Sequence, residues 1–256
     1  MVLCTVLWSL AGVASRFVGH AEGTEVAFWR SAFCAVFVAG AMALQHRRNW
    51  VGGVFSAGTV GWASGAMWAV MFTCFMLALT RTTVANVLVV MAAAPLLAAL
   101  LGWVVLRDPV PARTWVAIAF AATGLVWMVR EGLSVDGLSG MAIAFAVPVA
   151  SAINIVLLKR SGARVDLVPA VLIGAAISCA VTLPFAWPLS ATASDLAILA
   201  ALGVFQLAVP CMLMVRAAHH LAPHEIALLG LLEVVLGPIW VWIGVGEAPS
   251  GSTLQG

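Results

Sequence analysis

The sequence predicts an all-α, polytopic transmembrane helical bundle: two inverted five-helix repeats, nine helices present and a tenth apparently missing after the last residue. Three observations predict it. Lys plus Arg number 12 and Asp plus Glu 10 among 256 residues, so 9% are charged, while 64% are apolar and the mean hydropathy is +1.12. A soluble domain carries about 25% charged residues because its surface needs a polar skin. Polar breaks then divide the chain into nine apolar runs, and about 18 apolar residues let a helix cross a bilayer. Finally, the pattern of residues 79–117 returns in 218–256, at an offset of 139. A soluble globular domain, a disordered tail and a nucleic-acid binder are all excluded, since the net charge of +2 comes from scattered residues that form no basic face.

The runs follow in order. The first, 2–19, opens MVLCTVLWSLAGV without the basic start or the small-residue cleavage site of a signal peptide, and reads as a span. HAEGT separates it from 25–45, QHRRNW leads to 54–79, and LTRTT to 84–106. RDPVPAR precedes 114–130, REGLSVDG precedes 138–158, and KRSGARVD precedes 167–188. WPLSATASD introduces 195–217, AHHLAPHE introduces 224–245, and GEAPSGS follows it. These runs are apolar all round, whereas a membrane β-barrel needs short segments of alternating polarity, so they are helices. Pro95, Pro148, Pro210 and Pro238 fall inside spans, as kinks or hinges. Cys4, Cys34, Cys74, Cys179 and Cys211 lie in apolar stretches with no CxxC, and read as small buried hydrophobes.

Lys and Arg set the orientation. Odd-numbered loops take Arg16, Arg30, Arg81 and Arg130; even-numbered loops take Arg47, Arg48, Arg107, Arg113, Lys159, Arg160, Arg164 and Arg216. The excess on the even side places those loops in the cytoplasm and the N-terminus inside. The final GEAPSGSTLQG reads as a loop about to enter another helix. The repeats are expected at 1–130 and 138–256. RDPVPART answers GEAPSGST, and Leu97/Leu236, Trp103/Trp242 and Thr114/Thr253 coincide. A repeat with an odd number of helices inverts its topology, as secondary transporters do, with their site at the midplane between the halves.

Four stretches carry a family likeness: VLWSLAGVASR, EVAFWRSAF, TTVANVLVVMAAAPLLAALLGWVVLRDPVPARTWVAIAFAATGLV and LLEVVLGPIWVWIGVGEAPSGSTLQG. In their order and spacing they resemble the EamA family of drug/metabolite transporters, over nearly the whole chain. The resemblance implies ten helices as two inverted five-helix repeats, and the movement of amino acids or other small metabolites, often outward.

Ionisable groups inside spans are costly and mark function by default. Glu233 lies 10 residues past Pro223, about 15 Å along a helix at roughly 1.5 Å per residue, near the bilayer centre. It is a candidate for binding a substrate ammonium or carrying a proton, the alternative being a hydrogen-bonded brace. Arg30 is a candidate clamp for a carboxylate, or an arginine that snorkels or pairs with Glu25. Asn86, Asn154 and Gln206 are lone amides that either line a polar cavity or bond between helices. Trp8, Trp68 and Met71, with Trp62 and Met67, can wall a pocket for a semi-apolar metabolite or simply pack; Trp50, Trp115 and Trp187 suit a belt at the membrane interface. His219, His220 and His224 are interrupted by Pro223 and lack further ligands, so no metal site is expected.

The candidate substrate-binding residues are therefore Trp8, Arg30, Trp68, Met71, Asn86, Asn154 and Glu233, with Glu233 also the proton-coupling candidate. No cofactor or catalytic residue is expected; the expected partners are a small-molecule metabolite and lipid, with a proton as the candidate coupling ion and no nucleic acid. No GxxxxGK[ST] phosphate loop occurs, so a gradient drives transport. The bacterial cytoplasmic membrane is the expected location. Two alternatives stand beside this reading: a non-transporting membrane subunit or scaffold, and a sugar-phosphate or nucleotide-sugar exchanger of the same superfamily. The latter needs several basic groups in its cavity, and the spans offer essentially only Arg30.

Overall fold

The computed structural model describes residues 1–15, 17–19, 21, 23–46, 50–82, 84–107, 109–129, 138–161 and 166–246. Arg16, Arg47, Arg48, Arg130, Arg164 and the closing segment 247–256 lie outside the described residues, as do the side chains of Trp50 and Pro238. Each predicted run is helical. α1 comprises Val2–Ser9 and Ala11–Ser15; α2 is Gly23–His46; α3 is Gly58–Leu79. α4 is assembled from Val84–Met91, Ala94–Leu101 and Gly102–Leu106, and α5 is Ala112–Val129. α6 is Leu138–Ser161, α7 is Val168–Ala186, and α8 is the continuous series Ala193–Ala201, Leu202–Ala208 and Val209–Ala217. α9 comprises Pro223–Gly230 and Leu232–Val245.

Two differences from the expected runs have local causes. The first helix stops at Ser15 rather than 19. Residues 54–56 belong to a separate short helix, Trp50–Ser56, because Gly58 takes a left-handed φ of 61° and turns the chain into α3. Among the described residues, six helices are long and apolar enough to cross a membrane. Polarity is inverted relative to a soluble protein: Leu44, Phe120 and Phe185 are exposed, while Glu25, Arg30 and Asn154 are buried. Lipid as solvent accounts for that inversion.

The packing is that of two interlocked halves. α7 lies against α2 and α3, and α3 also lies against α6. Exchanging the halves (α1 for α6, α2 for α7, α3 for α8, α4 for α9) reproduces the list: α2 packs on α8, α8 on α1, α4 on α6 and α1 on α9. Of the amides inside this bundle, Asn154 joins two helices and Asn86 bonds the turn that precedes its own. Ser64 Oγ on α3 donates to Asn154 Oδ1 on α6, and Asn86 Nδ2 donates to Thr82 Oγ1 at 2.9 Å. Ser31 and Thr73 both donate to Ser178 Oγ at 3.0 Å, tying α2, α3 and α7.

Two glycines set how closely the halves approach. A Cβ at Gly174 on α7 would lie 2.4 Å from Trp68 Cβ and 2.9 Å from the Gly65 carbonyl oxygen of α3. A Cβ at Gly203 on α8 would lie 2.7 Å from the Arg30 carbonyl oxygen and 3.1 Å from the Cys34 nitrogen of α2. Backbone cannot retreat as a side chain can. Gly203→Ala should push α8 off α2 and lower stability by about 1–3 kcal/mol. Thermal unfolding of the detergent-purified protein measures this, and an unchanged midpoint would show that the helices have room to part.

The α1–α2 and α7–α8 connections meet at one end of the bundle, with buried carboxylates there. Glu25, 2% exposed in the first turn of α2, accepts from Ser190 N at 2.9 and 3.1 Å and from Ser190 Oγ at 2.8 Å. It also accepts from Ala191 N at 2.8 Å and Trp29 Nε1 at 3.2 Å. It therefore holds the α7–α8 loop rather than pairing with Arg30. Asp195 caps α8 through Thr192 and accepts from Gly19 N at 3.0 Å, which fastens the α1–α2 loop to the same end.

Candidate functional site

Four spans lose regular helix geometry part-way along. Pro95 has no N–H, and its ring would meet the carbonyl four residues back. The chain responds with a break at Ala92 and Ala93, where Ala93 N donates to Val90 O at 3.1 Å. α9 breaks at Leu231, just after Gly230, where Leu231 N donates to Leu228 O at 3.1 Å. Ala92 and Leu231 are 139 residues apart, the offset of the sequence repeat. The two breaks meet: Ala92 and Val234 pack together with Met91 and Leu231. α1 breaks after Ser9, where Leu10 N donates to Leu7 O, and α8 widens into a π turn over Leu202–Ala208.

A cavity of about 140 Å³ opens beside these interruptions. Six pairs of its wall residues lie 139 positions apart: Trp8 with Val147, Trp68 with Leu207, Phe72 with Cys211, Phe75 with Met214, Met91 with Gly230, and Ala94 with Glu233. Both halves thus contribute equivalent positions, and the cavity lies between them. Its volume is close to that of a cavity of about 150 Å³ that takes benzene. The wall is mostly apolar, with tryptophan, phenylalanine and methionine side chains from both halves.

Polar groups on that wall are few and incompletely paired. Arg30, 3% exposed, donates from Nη1 to Met76 Sδ at 3.2 Å, and its Nε has no partner. Trp68 Nε1 and Gln206 Oε1 are likewise buried without a partner. Glu233 is half-buried in the first turn after the α9 break and shares the cavity with Arg30. A buried polar atom left unpaired costs about 1–3 kcal/mol, and three such atoms belong to residues around one cavity.

The family model for the EamA-like transporter family matches residues 1–130 and again 138–256. The chain belongs to the EamA-like transporter family. Among curated proteins none matches. A solved structure, described as the crystal structure of a protein, shares the EamA-like fold of this chain with a TM-score of 0.77 at 19% identity, covering 98% of this chain and 89% of the other. As an EamA-like protein the chain is an integral membrane protein of a transporter family.

The cavity of this EamA-like protein brings together Trp8, Arg30, Trp68, Met71 and Glu233. Asn86 and Asn154 are buried and stand off its wall; the hydrogen bonds given above place them between and along helices. Trp62, 47% exposed, faces outward. Among the described residues no group of three metal-ligating side chains occurs. Sequence reasoning did not single out Phe72, Phe75, Met91, Cys211 and Met214. All five belong to pairs 139 residues apart, Phe72 with Cys211, Phe75 with Met214 and Met91 with Gly230, but neither member of those pairs carries a charge or an amide that would have marked it in the sequence.

Proposed function

We propose that the chain is a secondary transporter that exports amino acids or other small metabolites across the bacterial cytoplasmic membrane by alternating access. The observation that carries this reading is the cavity between the halves, walled by equivalent positions of both and holding one cation and one carboxylate. Discontinuous helices at a repeat interface are how such proteins build a midplane site. Residues 1–130 and 138–256 act as the two rocking repeats, and the N-terminus and even-numbered loops face the cytoplasm.

In this reading Arg30 receives the anionic end of the substrate, as a guanidinium suits a carboxylate. Trp8, Trp68 and Met71 hold its apolar portion. Glu233 carries the coupled proton or meets the substrate cation, because a charge in mid-span needs a partner. Asn86 and Asn154 support the helices behind the wall. A sugar-phosphate exchanger fits less well, as Arg30 is the cavity's single cationic side chain among the described residues. A scaffold has no use for unpaired polar atoms around a hollow.

Untargeted mass spectrometry of culture medium tests the reading. Cells producing the protein should accumulate a carboxylate-bearing metabolite outside, relative to cells lacking it, and Arg30→Met should remove at least nine-tenths of that excess (~10-fold, about the loss of one charged hydrogen bond). Identical media across growth conditions would count against an exporter.

A further inference from the structure

We propose that Gln206 is the residue that selects for a hydrogen-bond donor on the substrate, presented by a π turn whose counterpart in the first half, residues 63–69 of α3, is regular α-helix. The assignment rests on the transport reading above and names a determinant within the same cavity.

The local sequence explains the turn. Pro210 lacks the N–H that would bond the carbonyl of Gln206, and its ring crowds that same carbonyl. Widening the helix over Leu202–Ala208 relieves the crowding. On the other side of Gln206, Gly203 lets α8 lie directly on the Arg30 carbonyl. Gln206 is thus bracketed between a proline that loosens its turn and a glycine that seats the turn against Arg30.

The amide is held from one end. Gln206 Nε2 donates to the Trp8 carbonyl oxygen at 3.4 Å, just before the break in α1, which leaves Oε1 as the free end. The side chain is 5% exposed, and Oε1 has no protein partner. The position 139 residues earlier is Met67, which lies in the unbroken α3 and is not part of the cavity wall. The other unpaired atoms on this wall, Arg30 Nε and Trp68 Nε1, are donors. Donors suit an acidic group, whereas a lone carbonyl oxygen suits an N–H or O–H. The wall is therefore complementary to a small carboxylate that also bears an amine or hydroxyl, and Gln206 reads the latter.

The test uses the full chain in lipid nanodiscs and three probes of one shape: L-leucine, 2-hydroxy-4-methylpentanoate and 4-methyl-2-oxopentanoate. Binding is read from tryptophan fluorescence. The parent should bind the first two roughly 10- to 100-fold more tightly than the oxo acid, which has no donor for Oε1. Gln206→Met should erase that gap and leave the oxo acid unchanged. Gln206→Glu, which keeps an acceptor, should retain the gap, and it carries the test if the methionine variant does not fold. Equal weakening of all three probes in Gln206→Met, or a gap that survives it, overturns the assignment and leaves Gln206 a packing residue. A parent that binds none of the three overturns the substrate class proposed above, and the assignment with it, so the two failures are told apart by the parent alone.

Discussion

Glu233→Gln abolishes proton-driven flux in liposomes while leaving the folded protein intact. The expected reading is accumulation against a pH gradient falling to the level of protein-free vesicles, with thermal stability within about 0.5 kcal/mol of the parent. The substitution keeps volume and hydrogen-bonding capacity but removes the proton-exchanging group. Stability should hold because Glu233 braces nothing: it borders the cavity, half-buried, in the first turn after a helix break. Its counterpart in the first half, Ala94, shows that the break itself needs no carboxylate. Flux that stays pH-dependent in this variant would remove Glu233 from the mechanism. A large loss of stability would instead make it a brace for α9.

Glu25→Ala should destabilise the protein by about 2–6 kcal/mol, the cost of leaving buried donors without their acceptor. Its carboxylate accepts from Ser190 N, Ser190 Oγ, Ala191 N and Trp29 Nε1. Alanine would strand two backbone amides in the α7–α8 loop at once, each costing about 1–3 kcal/mol. Against a total stability of about 5–15 kcal/mol that is a large fraction. Thermal unfolding in detergent should show it, and Glu25→Gln, which keeps one acceptor oxygen, should fall between the two. A midpoint for the alanine variant within a degree or two of the parent would mean that water serves the loop as well as the carboxylate does.

The spans were legible in the sequence because lipid imposes a length and forbids unpaired backbone, and both leave long apolar runs. The bundle's two-fold organisation was legible for the same reason, through the repeat of runs and turns. Which face of each helix looks inward was not. α6 and α7 are apolar on every side, so Asn154 could be placed on a helix but not turned toward or away from the cavity. The break at Ala92 had a visible cause in Pro95; the break at Leu231 had only Gly230 beside it. Arg30, Trp68 and Glu233 stood out because charge and aromatic bulk in a span are conspicuous. Met91 and Cys211 were hidden among chemically similar neighbours. Glu25 read as a neighbour for Arg30 because both lie on α2, whereas the loop it holds, at Ser190 and Ala191, is more than 160 positions away in the chain.

Every hydrogen-bond partner of Glu25 among the described residues is electrically neutral. Dissolved ions screen pairs of opposite charges over about 8 Å at physiological ionic strength, but they have little purchase on a carboxylate enclosed by amides and hydroxyls. The loop that Glu25 holds should therefore keep its place equally well in dilute and in saline surroundings.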